Sequence, residues 1–296
     1  MKKVSVIIPH YNSKNSLLIL LNSIPKEDWI EIIVIDDNSD FDIYELSNLY
    51  KNIHFYILSN DKKGAGAARN LGLEKATGSH LLFADSDDYF TKNAFDIIKS
   101  KLNTDNDIIF FKSTSLNYKT RKIANRHRIA CYLVEDYIKH KNKEIFYKSY
   151  EPWGKLISIN LVNMFKIKFD ETIVSNDVMF SLKTCYYSSK IEAIDKIIYV
   201  ITDSDSSLTK KKQESILDCR FEVATRYNDF LKFNNLNHCQ TSMFQHIWNA
   251  RRFGFYKFLY ILFYCKYKKY PVLYSFKYFS KILFYEFKKL TNFNNI

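Results

Sequence analysis

The first hundred residues switch repeatedly between two periods, and this alternation limits the fold more than any other feature. Apolar runs of strand length occur at Val4–Pro9, Ile32–Ile35, Ile53–Leu58, Leu81–Ala84 and Ile108–Phe111. Between them lie stretches with helical spacing: Ser13–Ile24, Asp42–Tyr50, Ala65–Ala76 and Asn93–Leu102. Short buried strands alternating with helices predict an α/β fold with a parallel, doubly wound sheet. In such sheets ligands bind beyond the carboxyl ends of the strands, where the strand order reverses.

Those carboxyl ends are polar. The first run closes on Pro9-His10-Tyr11-Asn12 and the second on Asp36-Asp37-Asn38-Ser39. The third leads into a small-residue run, Lys63-Gly64-Ala65-Gly66-Ala67-Ala68-Arg69-Asn70, and the fourth ends in Asp85-Ser86-Asp87-Asp88. A scaffold without a ligand has no need of four such ends. Further on, residues 114–150 are charged and aperiodic, and read as a connecting segment with some helix. A helical Trp153–Met164, a helix Val178–Ser188 and a strand near Ile194–Val200 follow, and from about Lys210 the pattern is helical.

The 296 residues are 47% hydrophobic, enough for a sizeable core and too many for wholesale disorder. Six glycines and four prolines exclude collagen-like and low-complexity classes. The five cysteines stand alone, without CxxC spacing, and read as reduced cytosolic thiols rather than a disulfide framework or zinc site. The apolar stretch after Met1-Lys2-Lys3 is too short for a signal sequence. The run Phe258–Cys265 is too short to span a bilayer. A chain that is neither secreted nor membrane-spanning is expected.

Asp85 and Asp87, spaced i, i+2 at a strand end, can present two carboxylates to one hard cation that also takes substrate phosphate oxygens. The bland alternative is a turn in which Asp88 caps a helix beginning near Thr91. A carboxylate of the Asp36-Asp37 pair can accept from a uracil N–H or a ribose hydroxyl. The glycines and alanines of 64–68, Gly66 among them, allow close approach of a ligand or chain segment at a helix start that favours anions. Packing explains those small residues; Arg69 is better explained by a diphosphate or ribose partner.

In order and spacing these four segments resemble the nucleotide-sugar-binding half of glycosyltransferase family 2, a family of GT-A fold that inverts the anomeric centre. The resemblance implies a GT-A catalytic domain over 1–209, with a nucleotide-sugar half at 1–110 and an acceptor half at 111–209. A helical, basic, aromatic-rich region then covers 210–296. It also implies roles. Pro9, Tyr11, Asp36 and Asp37 would surround the uridine, Gly66, Arg69 and Ser86 would lie near the nucleotide, and Asp85 would face the ribose. Asp87, with Asp85, would hold Mn²⁺ or Mg²⁺ on the diphosphate of a UDP-sugar donor. The family's catalytic base is usually the Asp of a Glu-Asp pair at a helix start, some ninety residues after the metal motif. The matching place here reads Val174-Ser175-Asn176-Asp177-Val178, so Asp177 is the expected base and Asn176 replaces the Glu. Read without the family, Asp177 would be a helix N-cap. The expected reaction is a single displacement onto a glycan hydroxyl.

Net charge is +12, and +9 of it falls in residues 251–296, where ten Lys/Arg face one acid among seventeen Phe/Tyr. Nucleic-acid binding is one reading of that mixture, and a packed helical tail with a solvated face is another; pairing with a second copy of the chain is also open. Contact with an anionic membrane surface fits better. Bacterial relatives often extend lipid-carried glycans at the cytoplasmic face of the inner membrane, so a peripheral location there is expected, with a lipid-linked glycan as acceptor. A nucleotidyltransferase of similar fold would want a Gly-rich basic loop after the first strand, where this chain has His10-Tyr11-Asn12-Ser13.

Overall fold

Every residue of β1 (Val4–His10) is buried, as a strand covered on both faces requires. The computed structural model describes residues 3–48, 53–59, 61–203 and 213–273. Contacts divide the chain into two units, Met1–Lys210 and Lys211–Ile296.

In the first unit β1 is followed by α1 (Lys14–Asn22), β2 (Ile30–Asp36) and a 3₁₀ segment at Ile43–Asn48, in the region expected to be helical. Then come β3 (Ile53–Ile57), α2 (Gly64–Lys75), β4 (His80–Phe83), the short β5 (Tyr89–Phe90) and α3 (Ala94–Lys99). The strand β6 runs from Ile108 to Asn117 and enters the stretch expected to be a connector. That stretch also holds α4 (Arg128–His140) and α5 (Glu144–Lys148). The expected helix Trp153–Met164 is instead β7 (Lys155–Ser158) followed by α6 (Ile159–Met164). Leu156 and Ile157 are pulled into the sheet because β7 fills the gap between β4 and β6, a tertiary demand that overrides local periodicity. The helix α7 (Val178–Tyr187) and the long β8 (Ile191–Asp203) complete the unit.

The sheet has eight strands in the order β3-β2-β1-β4-β7-β6-β8-β5. Strands β3, β2, β1 and β4 are parallel to their neighbours, as are β6 and β8, whereas β7 and β5 pair antiparallel. Alternate residues serve two cores. Val6, Ile8, Leu82, Ile109 and Phe111 join the cluster packed by α1 and α3. Ile7, Leu81, Phe83, Ile108 and Phe110 join the one packed by α4, α6 and α7.

The second unit is helical: α8 (Glu214–Phe233), α9 (Phe244–Ala250) and α10 (Phe255–Lys268). Its core includes Leu217, Ala224, Met243, Ile247, Ile261 and Cys265. Lys257 bonds Glu214 and Asp218, and the Tyr270 hydroxyl donates to Asp229 at 2.6 Å. All five cysteines are free. The part of the basic tail from residue 274 lies outside the described residues.

Candidate active site

Two residues beyond the ends of β1 and β2 stands an asparagine in the left-handed region, Asn12 (φ 46°) and Asn38 (φ 58°), a conformation that asparagine tolerates better than most residues. The turns open a cleft of about 710 Å³ beyond the carboxyl ends of β1, β2 and β4. Of the residues singled out in the sequence, Pro9, Tyr11, Asp37, Arg69, Asp85, Ser86, Asp87 and Asp177 line it. Asp36 and Gly66 do not.

Asp36 is buried and fully used. Its Oδ1 accepts from Ser39 Oγ at 2.6 Å and lies 2.7 Å from His10 Nδ1, and its Oδ2 accepts from the Ser39 N–H at 2.9 Å. The Ser13 N–H donates to His10 Nε2 at 3.2 Å, so the neutral ring carries its proton on Nδ1 and donates it to Asp36. Asp36 therefore ties the ends of β1 and β2 together. Its neighbour Asp37 differs: Oδ2 accepts from the Gly64 N–H at 2.8 Å, while Oδ1 is buried without a partner. A buried, unsatisfied carboxylate oxygen at a cleft wall is an acceptor awaiting a donor.

Gly66 faces away from the cleft, against the loop after α6. A Cβ at this position would overlap the Asp170 carbonyl oxygen. Nearby, Asn70 Nδ2 donates to the Phe169 carbonyl at 3.0 Å and the Phe169 N–H donates back to Asn70 Oδ1 at 2.8 Å. The small-residue helix start is thus a clamp for the 169–177 loop.

Arg69 bridges the two acidic regions. Its side chain is 6% exposed; Nη2 donates to Asp85 Oδ1 at 2.5 Å and Nη1 to Asn176 Oδ1 at 2.7 Å. Ser175, in the left-handed region at φ 57°, turns the chain just before Asn176 and Asp177. Asp177 occupies the N-cap position of α7 but makes no side-chain cap bond, so its carboxyl stays available to the cleft. Burial pushes the Asp177 carboxyl up to about 6; Arg69 pulls it down and Glu151 pushes it further up.

The 85–88 turn is held from behind. The Asp85 N–H donates to the Tyr199 hydroxyl oxygen at 2.8 Å, and the Asp88 N–H donates to the Asp85 carbonyl at 3.0 Å. Asp88 does not cap a helix: β5 follows it, and its Oδ1 accepts from the Thr202 N–H at 2.7 Å. Burial first, then Asp85 and Asp87, raise the Asp88 carboxyl well above the ordinary range. Tyr199 is fully buried, stacks on Trp153 with ring centroids 5.8 Å apart, and bonds Asp88 through its hydroxyl. Asp87 opens to the cleft, yet protein crowds its carboxyl. Burial and the Asp85 charge raise it to about 6, with Arg126 pulling the other way.

Asp85 and Asp87 thus offer two hard oxygen donors on one turn, crowded enough to be relieved by a cation. No group of three or more His, Cys, Asp or Glu ligands exists among the described residues. Two carboxylates suit Mg²⁺ or Mn²⁺ that complete their shell with substrate phosphate and water.

The structure adds lining residues that motif reading did not select as site residues: His10, Ser13, Arg126, Tyr150, Glu151 and Asn176 among them. Arg126 is exposed in the cleft and acts electrostatically on both Asp87 and Glu151. It lies in the aperiodic 114–150 segment, where no motif marks it. Beneath Glu151, Lys155 is wholly buried and donates to the Ser149 carbonyl at 2.8 Å; burial holds its ammonium below the ordinary lysine range.

The chain belongs to glycosyl transferase family 2, whose family model matches residues 5–170. The Staphylococcus aureus poly(ribitol-phosphate) β-N-acetylglucosaminyltransferase TarS is 38% identical over 99 residues, 31% of this chain and 17% of that protein. An Escherichia coli enzyme named UDP-Glc:α-D-GlcNAc-diphosphoundecaprenol β-1,3-glucosyltransferase, WfaP, is 38% identical over 93 residues, 30% of this chain and 37% of that one. The aligned parts are a minor share of these curated relatives. The crystal structure of TarS residues 1–349 with UDP-GlcNAc superposes with a TM-score of 0.61 at 25% identity, covering 75% of this chain and 66% of that one. The fold is of the GT-A type.

Proposed function

We propose that the chain is an inverting glycosyltransferase that moves a hexose or N-acetylhexosamine from a UDP-sugar to a glycan hydroxyl in bacterial surface-glycan synthesis. One observation carries the reading: Asp37, Asp85, Asp87 and Asp177 converge on a single cleft with Arg69 and Arg126. The neighbouring TarS structure holding UDP-GlcNAc supports a UDP-sugar donor.

In this reading the unpaired Oδ1 of Asp37 accepts from the uracil N–H, with Pro9 and Tyr11 on either side of the base. Asp85 and Ser86 face the ribose. A Mg²⁺ or Mn²⁺ held by Asp85 and Asp87 supplies positive charge to the leaving diphosphate when bound. Arg126 adds a cation on the same side, and Arg69 fixes the Asp85 carboxylate. Asp177 takes the proton of the acceptor hydroxyl as its oxygen attacks the anomeric carbon from the face opposite the diphosphate. The carbon–oxygen bond to UDP breaks in the same displacement, and an α-linked donor becomes a β-glycoside.

Thermal unfolding with UDP-, GDP-, CMP- and dTDP-sugars, with Mn²⁺ or with chelator, tests the proposal. A ligand at about 100 times its Kd adds roughly 2.7 kcal/mol of stability. Stabilisation by one UDP-sugar, abolished by chelator and by Asp87→Asn, is expected. A folded protein that responds to none of these donors would overturn the reading.

A further inference from the structure

Helix α10 has two apolar faces. Ile261 and Cys265 turn inward to the core of the second unit. On the other side Tyr256, Tyr260, Phe263 and Tyr267 are 89%, 64%, 60% and 84% exposed. Their spacing of four, three and four residues places them in one stripe, about 16 Å long at the helical rise. Lone exposed aromatics need no explanation; four in line on one helix do.

The charges on and beside the helix that are left unpaired are cationic. No Asp or Glu occurs between Asp229 and Glu286. Lys257 and Lys268 are engaged, the first with Glu214 and Asp218, the second with Asp229. Arg252 before the helix, and Lys266 and Lys269 at its end, are exposed and form no ion pair among the described residues. A self-complementary pairing of two copies through this face would bring these uncompensated cations together. Phenolic rings whose apolar bodies sink while their hydroxyls stay wet, flanked by cations, instead match the headgroup layer of an anionic bilayer. None of the described helices is long and apolar enough to cross a membrane, so the helix would lie on the surface.

We infer that the Tyr256–Tyr260–Phe263–Tyr267 face of α10 docks the protein onto an anionic phospholipid surface. The face belongs to the second unit and the cleft to the first, and its test does not depend on donor chemistry. The full chain is sedimented with vesicles of phosphatidylcholine alone or with one quarter phosphatidylglycerol. Wild type binds the anionic vesicles and leaves the neutral ones. The variant Y256S/Y260S/F263S/Y267S, substituted only at exposed positions, keeps its unfolding temperature but partitions about tenfold more weakly. Arg252→Gln with Lys266→Gln and Lys269→Gln reduces binding most at low salt. Three results would overturn the inference: wild type ignores anionic vesicles, the aromatic variant binds like wild type, or the substitutions instead dissolve a dimer seen by light scattering.

Discussion

Arg69 reaches Asp85 across 2.5 Å and, through its other terminal nitrogen, Asn176 across 2.7 Å. One nearly buried guanidinium thus joins the acidic turn after β4 to the loop that presents Asp177. Removing it by Arg69→Met leaves Asp85 without its cation and Asp177 without the charge that lowers its proton affinity. Asp85 is one-third exposed, so the stability loss is modest for a broken ion pair, about 2 kcal/mol. The acid limb of the pH–rate profile should move upward from about 6. An unchanged limb would separate Arg69 from Asp177.

With its carboxyl near 6, Asp177 can accept a proton only above that value. Transfer should therefore rise with pH through about 6 and level off above it, because only the carboxylate can take the hydroxyl proton. Stability runs the other way. The folded-state value lies above the ordinary 3.8, so the fold holds the proton more tightly and loses stability as pH rises from about 4 to 6. Asp177→Asn should keep UDP binding, lose about 10²–10⁴-fold in transfer, and unfold at a higher temperature than wild type at pH 7.5 but not at pH 4. Normal transfer by this variant would exclude Asp177 as the base.

Tyr199→Phe removes the oxygen that accepts the Asp85 N–H and the hydroxyl that bonds Asp88. Leaving buried groups unpaired costs about 1–3 kcal/mol, to be read as a lower urea midpoint at unchanged m value. UDP affinity in Mn²⁺ should weaken as well, since Asp85 and Asp87, proposed to hold the cation, sit on the turn that Tyr199 holds. A variant as stable as wild type would mean that the turn needs no support from β8.

Gly66→Ala distinguishes a ligand-approach glycine from a packing one. The added methyl meets the Asp170 carbonyl and the Asn176 side chain, not the cleft. The expected result is a destabilisation of about 1–3 kcal/mol, with transfer falling further than UDP affinity because the 169–177 loop carries Asp177, the proposed base. Loss of UDP affinity alone would return Gly66 to the nucleotide.

Much of the sheet can be read along the chain because its strands are short, apolar and bounded by polar turns. The expected β1, β2, β3 and β4 differ from the observed ones by a residue or two at their ends. Reading failed where a segment's partner lies far away in sequence. Leu156 and Ile157 fit a helical pattern as well as a strand, and only the space between β4 and β6 decides for β7. Arg126 carries no motif, and its place in the cleft follows from how the chain leaves β6.

Sequence alone determined the doubly wound first half, the clustering of acids at its strand ends and the family, since these rest on local periodicity and short-range spacing. Tertiary structure decided which acids face the cleft. Asp36 and Asp37 are adjacent, yet one is consumed by His10 and Ser39 while the other keeps a bare oxygen; Asp88 turns inward to Thr202 while Asp85 and Asp87 stay at the cleft. Neighbouring carboxylates are chemically identical along the chain. They acquire different roles only when distant N–H and O–H groups satisfy one and leave the other free.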